Sequence, residues 1–150
     1  AVKKYNLPVL AKIVDVKWAA LDPAVMGLGP IHAMTPLLKE NQLSLNDVDH
    51  IEINEAFAAQ VIACLKAWND TDYCKKYLGL ESKMGELDQA RLNPEGGAIA
   101  IGHPVGASGA RLVLHCCEMM QKNNTKISMA SLCIGGGQGG AILLERVSGV

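Results

Sequence analysis

Hydrophobic and polar positions along this chain follow two periods, and each predicts a different kind of element. Over residues 9–18, Val14, Val16 and Trp18 alternate with Asp15 and Lys17, a period of two that predicts a strand. Asp22-Pro23 and Gly27-Leu28-Gly29-Pro30 follow as a loop dense in turn residues. Thr35-Pro36 has the form of an N-cap with proline at the first helical position, predicting a helix to about Asn41. Ser44-x-x-Asp47 repeats the capping pattern over a short helical turn. Ile51-Glu52-Ile53 is a brief strand, and from Asn54 onward helix formers run to about Trp68. Residues 69–92 are polar and predict a surface excursion with some helix, closed by a turn at Asn93-Pro94-Glu95-Gly96-Gly97. A helix is expected after His103-Pro104, to about Gln121, then a buried strand over 126–132, a turn over 135–140 and a last strand over 141–146.

Strands alternating with helices predict an α/β layer structure. The last two strands, joined only by a short glycine turn, must be antiparallel, because a parallel pair needs a long crossover. The expected sheet is therefore mixed, with helices on both faces. No repeat, linker or second domain is visible, so residues 1–150 read as one domain.

Composition narrows the function classes. Hydrophobic residues make up 49% and charged residues 19%, the balance of a folded globular chain rather than a disordered one. A net charge of −1 argues against a nucleic-acid groove or a polybasic membrane patch. No apolar stretch approaches the roughly 18 residues of a membrane span. The opening Ala-Val-Lys-Lys-Tyr-Asn-Leu-Pro lacks a secretory signal, and Ser148-Gly149-Val150 is no peroxisomal address. Cysteines at 64, 74, 116, 117 and 133 form an odd set without a C-x-x-C pair, which predicts reduced thiols buried as small hydrophobes in a cytoplasmic chain. His115, Cys116 and Cys117 are consecutive and fan around a helix axis, so no metal site is expected of them.

Three constellations carry candidate chemistry. In Gly102-His103-Pro104-Val105-Gly106-Ala107-Ser108-Gly109-Ala110-Arg111, proline at a first helical position would set His103 at a helix mouth, where negative charge is favoured. The small residues after it predict close packing against another backbone; a packed helix with a capping histidine explains the glycines equally well, though not the choice of histidine. The stretch is not G-x-S-x-G, and the chain has no P-loop. In Cys133-Ile134-Gly135-Gly136-Gly137-Gln138-Gly139-Gly140, the formal G-x-G-x-x-G is followed by a strand instead of a helix, which excludes dinucleotide binding. A thiol beside nearly bare backbone remains, suited to an oxyanion hole at Gly135. Taken alone, a core cysteine next to a tight hairpin is the better reading. In Asn54-Glu55-Ala56-Phe57-Ala58, the amide can cap a helix or hold a water, capping being favoured by spacing, and Glu55 complements the helix dipole.

In this order, Asn-Glu-Ala-Phe-Ala (54–58), Gly-Gly-Ala-Ile-Ala-Ile-Gly-His-Pro-Val-Gly-Ala-Ser-Gly-Ala-Arg (96–111) and Cys-Ile-Gly-Gly-Gly-Gln-Gly (133–139) closely resemble the thiolase family. Met26-Gly27-Leu28-Gly29-Pro30 is similar to the family's M-G-x-G-P. The resemblance runs from about Leu10 to Arg146 and covers only a thiolase C-terminal half; the half that carries the nucleophilic cysteine has no counterpart here, and residues 69–92 are longer than the family's usual connection. The resemblance implies a three-layer α/β/α half with a mixed five-stranded sheet and helices on both faces, stacked in the full protein against a similar half.

It also implies roles. His103 would be the base that activates the nucleophilic cysteine and, with a water on Asn54, a donor to the thioester oxygen as an enolate develops. Cys133 would take and return the α-proton of acetyl-CoA. The Gly135 amide would stabilise the tetrahedral intermediate. Coenzyme A thioesters would be substrates, with no metal or redox cofactor. The expected partners are acyl-CoA or acetyl-CoA, a thiolase N-terminal half and further copies of the chain, with no nucleic acid and no membrane. The expected compartment is the cytoplasm, or the mitochondrial matrix in a eukaryote. An acetyl-CoA acetyltransferase or 3-ketoacyl-CoA thiolase is thus the leading implication, and a non-catalytic half that binds an acyl-CoA or a partner protein is the alternative.

Overall fold

The computed structural model describes residues 1–147; the tripeptide 148–150 read above for a targeting address lies outside them. A short helix α1 (Val2–Tyr5) precedes strand β1 (Lys12–Ala20). A 3₁₀ segment (Pro23–Leu28) leads into α2 (Gly29–Glu40), and β2 (His50–Ile53) follows after a 3₁₀ turn at Leu45–Asp47. Helix α3 (Ala58–Trp68) comes next, the excursion over 69–92 holds α4 (Thr71–Tyr77) and a 3₁₀ turn at Gln89–Arg91, and α5 (Ala98–Ile101) follows it. Helix α6 (Ser108–Asn123) and the hairpin β3 (Ile127–Ile134) and β4 (Gln138–Glu145) complete the fold.

The sheet order is β1-β4-β3-β2, with β4 antiparallel to both neighbours and β3 parallel to β2. It is mixed, as the hairpin argument requires, but has four strands where five were expected. The fifth position is occupied by Leu92, which makes a single parallel bridge to Ile51. Asn93 donates its backbone N–H to Ile51 O, then turns away at φ 44°, and Pro94 has no N–H to extend the ladder. The edge strand ends after one residue.

Both faces of the sheet are covered at β3, and the strand's period of two divides two cores. Met129 and Leu143 join Ile31, Met34 and Leu38 of α2 and Val61, Cys64 and Trp68 of α3. Ala130 and Leu144 face the other way, onto Leu112, Cys116 and Met120 of α6. Helix α6 leaves the β1 end of its face bare. There Val16 is 40% and Trp18 71% exposed, beside a groove floored by Ile142 and Leu132 and walled by Gly109 and Val113 of α6.

Helix starts are where sequence expectation and structure differ most. Helix α2 begins at Gly29, and Pro36 lies inside it. Having no N–H, that proline forgoes one helical bond, and Thr35 beside it accepts from Trp68 Nε1 at 2.9 Å instead of capping. Helix α3 begins only at Ala58, so Asn54 is not its cap. Helix α6 begins at Ser108, because residues 104–107 form a turn in which Ala107 and Ser108 both donate to Pro104 O. Ser44 and Asp47 do form the expected capping box. The glycine turn is tighter than expected, 135–137, with β4 already running from Gln138.

Candidate active site

Strand β2 ends at Ile53, paired with Ser131 of β3, and Asn54 continues the ladder by donating its N–H to Ser131 O at 2.9 Å. Asn54 and Cys133 therefore leave two adjacent parallel strands at their carboxyl ends, where open α/β sheets bind ligands. Asn54 is fully buried. Its side chain is spared from capping α3 and points at His103, with Nδ2 3.3 Å from Nε2.

His103 is held from the other side. Its Nδ1 lies 2.7 Å from Ser108 Oγ, at the first residue of α6, and that oxygen also lies 3.2 Å from Pro104 O. A carbonyl only accepts, so Ser108 satisfies both contacts in one way: it donates to Pro104 O and accepts from His103 Nδ1–H. The proton of the neutral imidazole is thereby fixed on Nδ1. Nε2 presents a bare lone pair towards Asn54 Nδ2, which donates to it. This geometry makes Nε2 a proton acceptor aimed at the end of the sheet. Asn54 Oδ1 is buried and has no partner among the described residues, leaving an acceptor free for a water or a ligand donor.

Glu55 does something other than complement the dipole of α3. It accepts from Asn93 Nδ2 at 3.0 Å and from the Ile99 N–H at 3.1 Å, tying the turn before α5 back to the end of β2. A Cβ on Gly97 would meet that carboxylate at 2.5 Å, so any other residue there would push Glu55 out of this position. Asn93 also brackets Ile53, accepting its N–H at 3.0 Å and donating to its carbonyl at 2.9 Å. These bonds set the segment that carries His103 against the strand that carries Asn54.

Cys133 pairs with Gly139 across the β3–β4 hairpin and is 7% exposed. Burial holds its thiol above the ordinary range, so it stays protonated at neutral pH. Gly135 follows at the start of the turn with no atom within 4 Å of where a Cβ would sit, which leaves its backbone open. No hydrogen bond joins Cys133 or Gly135 to His103 or Asn54 among the described residues; the four are gathered by the ends of β2 and β3 and the entry to α6. Sequence reasoning missed Ser108, although its place five residues after the histidine in Gly-Ala-Ser-Gly was the available signal.

All five cysteines are free and buried, as expected of reduced thiols. Burial pushes the Cys64 thiol up to about 12 and Cys116 higher still. No helix among the described residues is long and apolar enough to cross a membrane.

The sequence profile described as "Thiolase, C-terminal domain" matches residues 7–146. The beta-ketoadipyl-CoA thiolase of Acinetobacter baylyi is 44% identical over 147 residues, 98% of this chain and 33% of that protein. The mitochondrial 3-ketoacyl-CoA thiolase of Bos taurus is 40% identical over 148 residues, 99% of this chain and 33% of that protein. Among solved structures, human mitochondrial 3-ketoacyl-CoA thiolase in complex with CoA superposes with a TM-score of 0.80 at 38% identity, over 98% of this chain and 33% of that one. The Bacillus anthracis acetyl-CoA acetyltransferase gives 0.81 at 36% identity, over 97% and 33%. The chain thus spans about a third of the length of the relatives it matches. With its fold, its site motifs and nearly all of its length accounted for in this way, the chain belongs to the thiolase family, matching that family's C-terminal domain.

Proposed function

We propose that this chain supplies the proton-transfer half of a thiolase active site, for reversible Claisen condensation and thiolysis of acyl-CoA thioesters through an acyl-cysteine on an N-terminal half. The observation that carries the reading is the fixed His103 tautomer. A cysteine thiol has a free pKa of about 8.5 and needs a base to ionise, and a bare Nε2 is such a base. After taking that proton, Nε2–H joins a water on Asn54 in donating to the thioester oxygen as enolate charge develops. Cys133 gives its proton to the departing thiolate, and the Cys133 thiolate so formed, made more basic by burial, takes the α-proton of acetyl-CoA. The open Gly135 amide is one oxyanion donor. These steps use imidazole, thiol and amide groups, with coenzyme A thioesters as substrates and no redox cofactor. The bare face around Trp18 and Gly109 is where the N-terminal half would dock. The relatives' bacterial and mitochondrial sources support a cytoplasmic or matrix setting.

The test joins the chain to a thiolase N-terminal half. Cys133→Ser should leave acylation of the nucleophilic cysteine largely intact but slow hydrogen exchange at the α-carbon of acetyl-CoA by at least about 100-fold, since a hydroxyl is a far poorer base. His103→Ala should depress both. Deuterium wash-in at the unmodified rate in Cys133→Ser would remove Cys133 from this role.

A further inference from the structure

Outside the site just described, β2 and α6 bring together a second cluster of side chains. His50 and Glu52 stand two residues apart on β2 and so share one face of the strand. His115 reaches them from the middle of α6. His50 Nε2 lies 2.9 Å and His115 Nδ1 3.0 Å from the same oxygen, Glu52 Oε1. One ligand atom from each of the three lies within 4.8 Å of the others. Glu52 is fully buried and His50 is 3% exposed. The other Glu52 oxygen faces the Arg111 guanidinium at 3.6 Å, an ion-pair distance without a hydrogen bond.

We propose that His50, Glu52 and His115 form a divalent transition-metal site of the zinc class, structural in role, that clamps β2 to α6. Two imidazoles and one carboxylate are the donor set such ions prefer. Metal–ligand bonds of about 2.0–2.1 Å in tetrahedral geometry give ligand–ligand edges of about 3.3 Å. The two spacings to Glu52 Oε1, 2.9 and 3.0 Å, lie near that edge, and the two imidazole nitrogens lie within 4.8 Å of each other. The outer shell is also present: His115 Nε2 lies 3.3 Å from Glu95 Oε2, the carboxylate partner that orients a metal-bound histidine. A metal on His115 Nδ1 is compatible with an Nε2–H bond to Glu95. Arg111 holds the second Glu52 oxygen, leaving Oε1 as the single donor. A surface depression lined by Glu95, Gly96, Arg111, Leu114 and Glu118 reaches His115 and gives the ion a route from solvent.

The test is a titration of the 150-residue chain with Co²⁺, whose visible spectrum reports coordination geometry, under reducing and chelator-free conditions. One equivalent should bind, with the absorption of a four- or five-coordinate ion and no near-ultraviolet thiolate band, and Zn²⁺ should displace it. Binding should weaken as pH falls through the imidazole range, because protons compete for the ligands. Glu95→Gln, at an exposed position, should weaken binding about 10–100-fold, and His115→Gln should abolish it with the circular dichroism spectrum unchanged. Absence of saturable binding, a thiolate band, or affinity unchanged in Glu95→Gln would each overturn the proposal and leave the cluster a hydrogen-bonded network. None of these readouts depends on thiolase turnover.

Discussion

At the scale of single residues, the tautomer of His103 is set by its neighbour Ser108. Ser108 has one proton, and its gift to Pro104 O obliges the hydroxyl oxygen to accept from Nδ1. In Ser108→Ala that bond, worth about 1 kcal/mol, is gone, and the tautomer ratio should shift by a factor of about five or more towards Nε2–H. Imidazole ¹⁵N shifts in the 150-residue chain, recorded above the titration range of the ring, measure this directly. A ring that remains fully Nδ1–H in Ser108→Ala would show that something else fixes it. Ser108→Thr keeps the hydroxyl and should restore the unmodified spectrum. Much of this neighbourhood was legible in the sequence: Asn54, His103, Cys133 and Gly135 all stand in motifs. The contact between Asn54 and His103 was not. It depends on the 104–107 turn and on Glu55 choosing Ile99 N–H over its own helix, which no local spacing reveals. The His50, Glu52 and His115 cluster was hidden more deeply, because its members come together only when α6 lies across β2.

Elements tell a similar story about distance along the chain. The hairpin β3–β4 could be read locally, since its apolar runs and glycine turn allow only antiparallel pairing. The start of α2 could not, because Gly27-Leu28-Gly29-Pro30 has the composition of a loop. Its glycine is demanded by a strand far away in sequence: a Cβ on Gly29 would meet the backbone of Gln138 and Gly139, and one on Gly139 would run into the backbone of Gly29. The N-terminus of α2 thus lies directly on the first residues of β4. Gly137 adds to this junction, at φ 83° with Leu21 O and Pro23 against it. Gly139→Ala should therefore cost about 3 kcal/mol, the upper end of the usual overpacking range, because the neighbour is backbone. Gly106→Ala, where the added carbon meets nothing within 4 Å, should cost far less. Paired denaturant melts measure the contrast; equal losses would mean that the contact at Gly139 yields.

For the molecule as a whole, the bare strip along Val16, Trp18 and Ile142 sets its solution behaviour. Apolar surface of this kind attracts a cover, and in the absence of an N-terminal half a second copy of the chain offers one. The isolated chain should self-associate, as a two-fold dimer because isologous pairing closes most simply, and should show no thiolysis. Sedimentation over a concentration series tests the first point, and a strict monomer at high concentration would refute it. Trp18→Lys should shift the distribution towards monomer. The same strand has a consequence for the order in which the protein is made. Among the described residues β1 pairs with β4 alone, from Lys12 opposite Glu145 to Ala20 opposite Gln138. Contacts so remote in sequence slow folding. At about 5–20 residues per second of synthesis, β1 emerges roughly 6–25 seconds before β4 exists. During that interval Val14, Val16 and Trp18 stand on an unpaired strand, and Lys12, Asp15 and Lys17 are the charges placed among them, as gatekeepers against pairing with another nascent chain. The alternation that marks this segment as a strand also guards it until the last strand arrives.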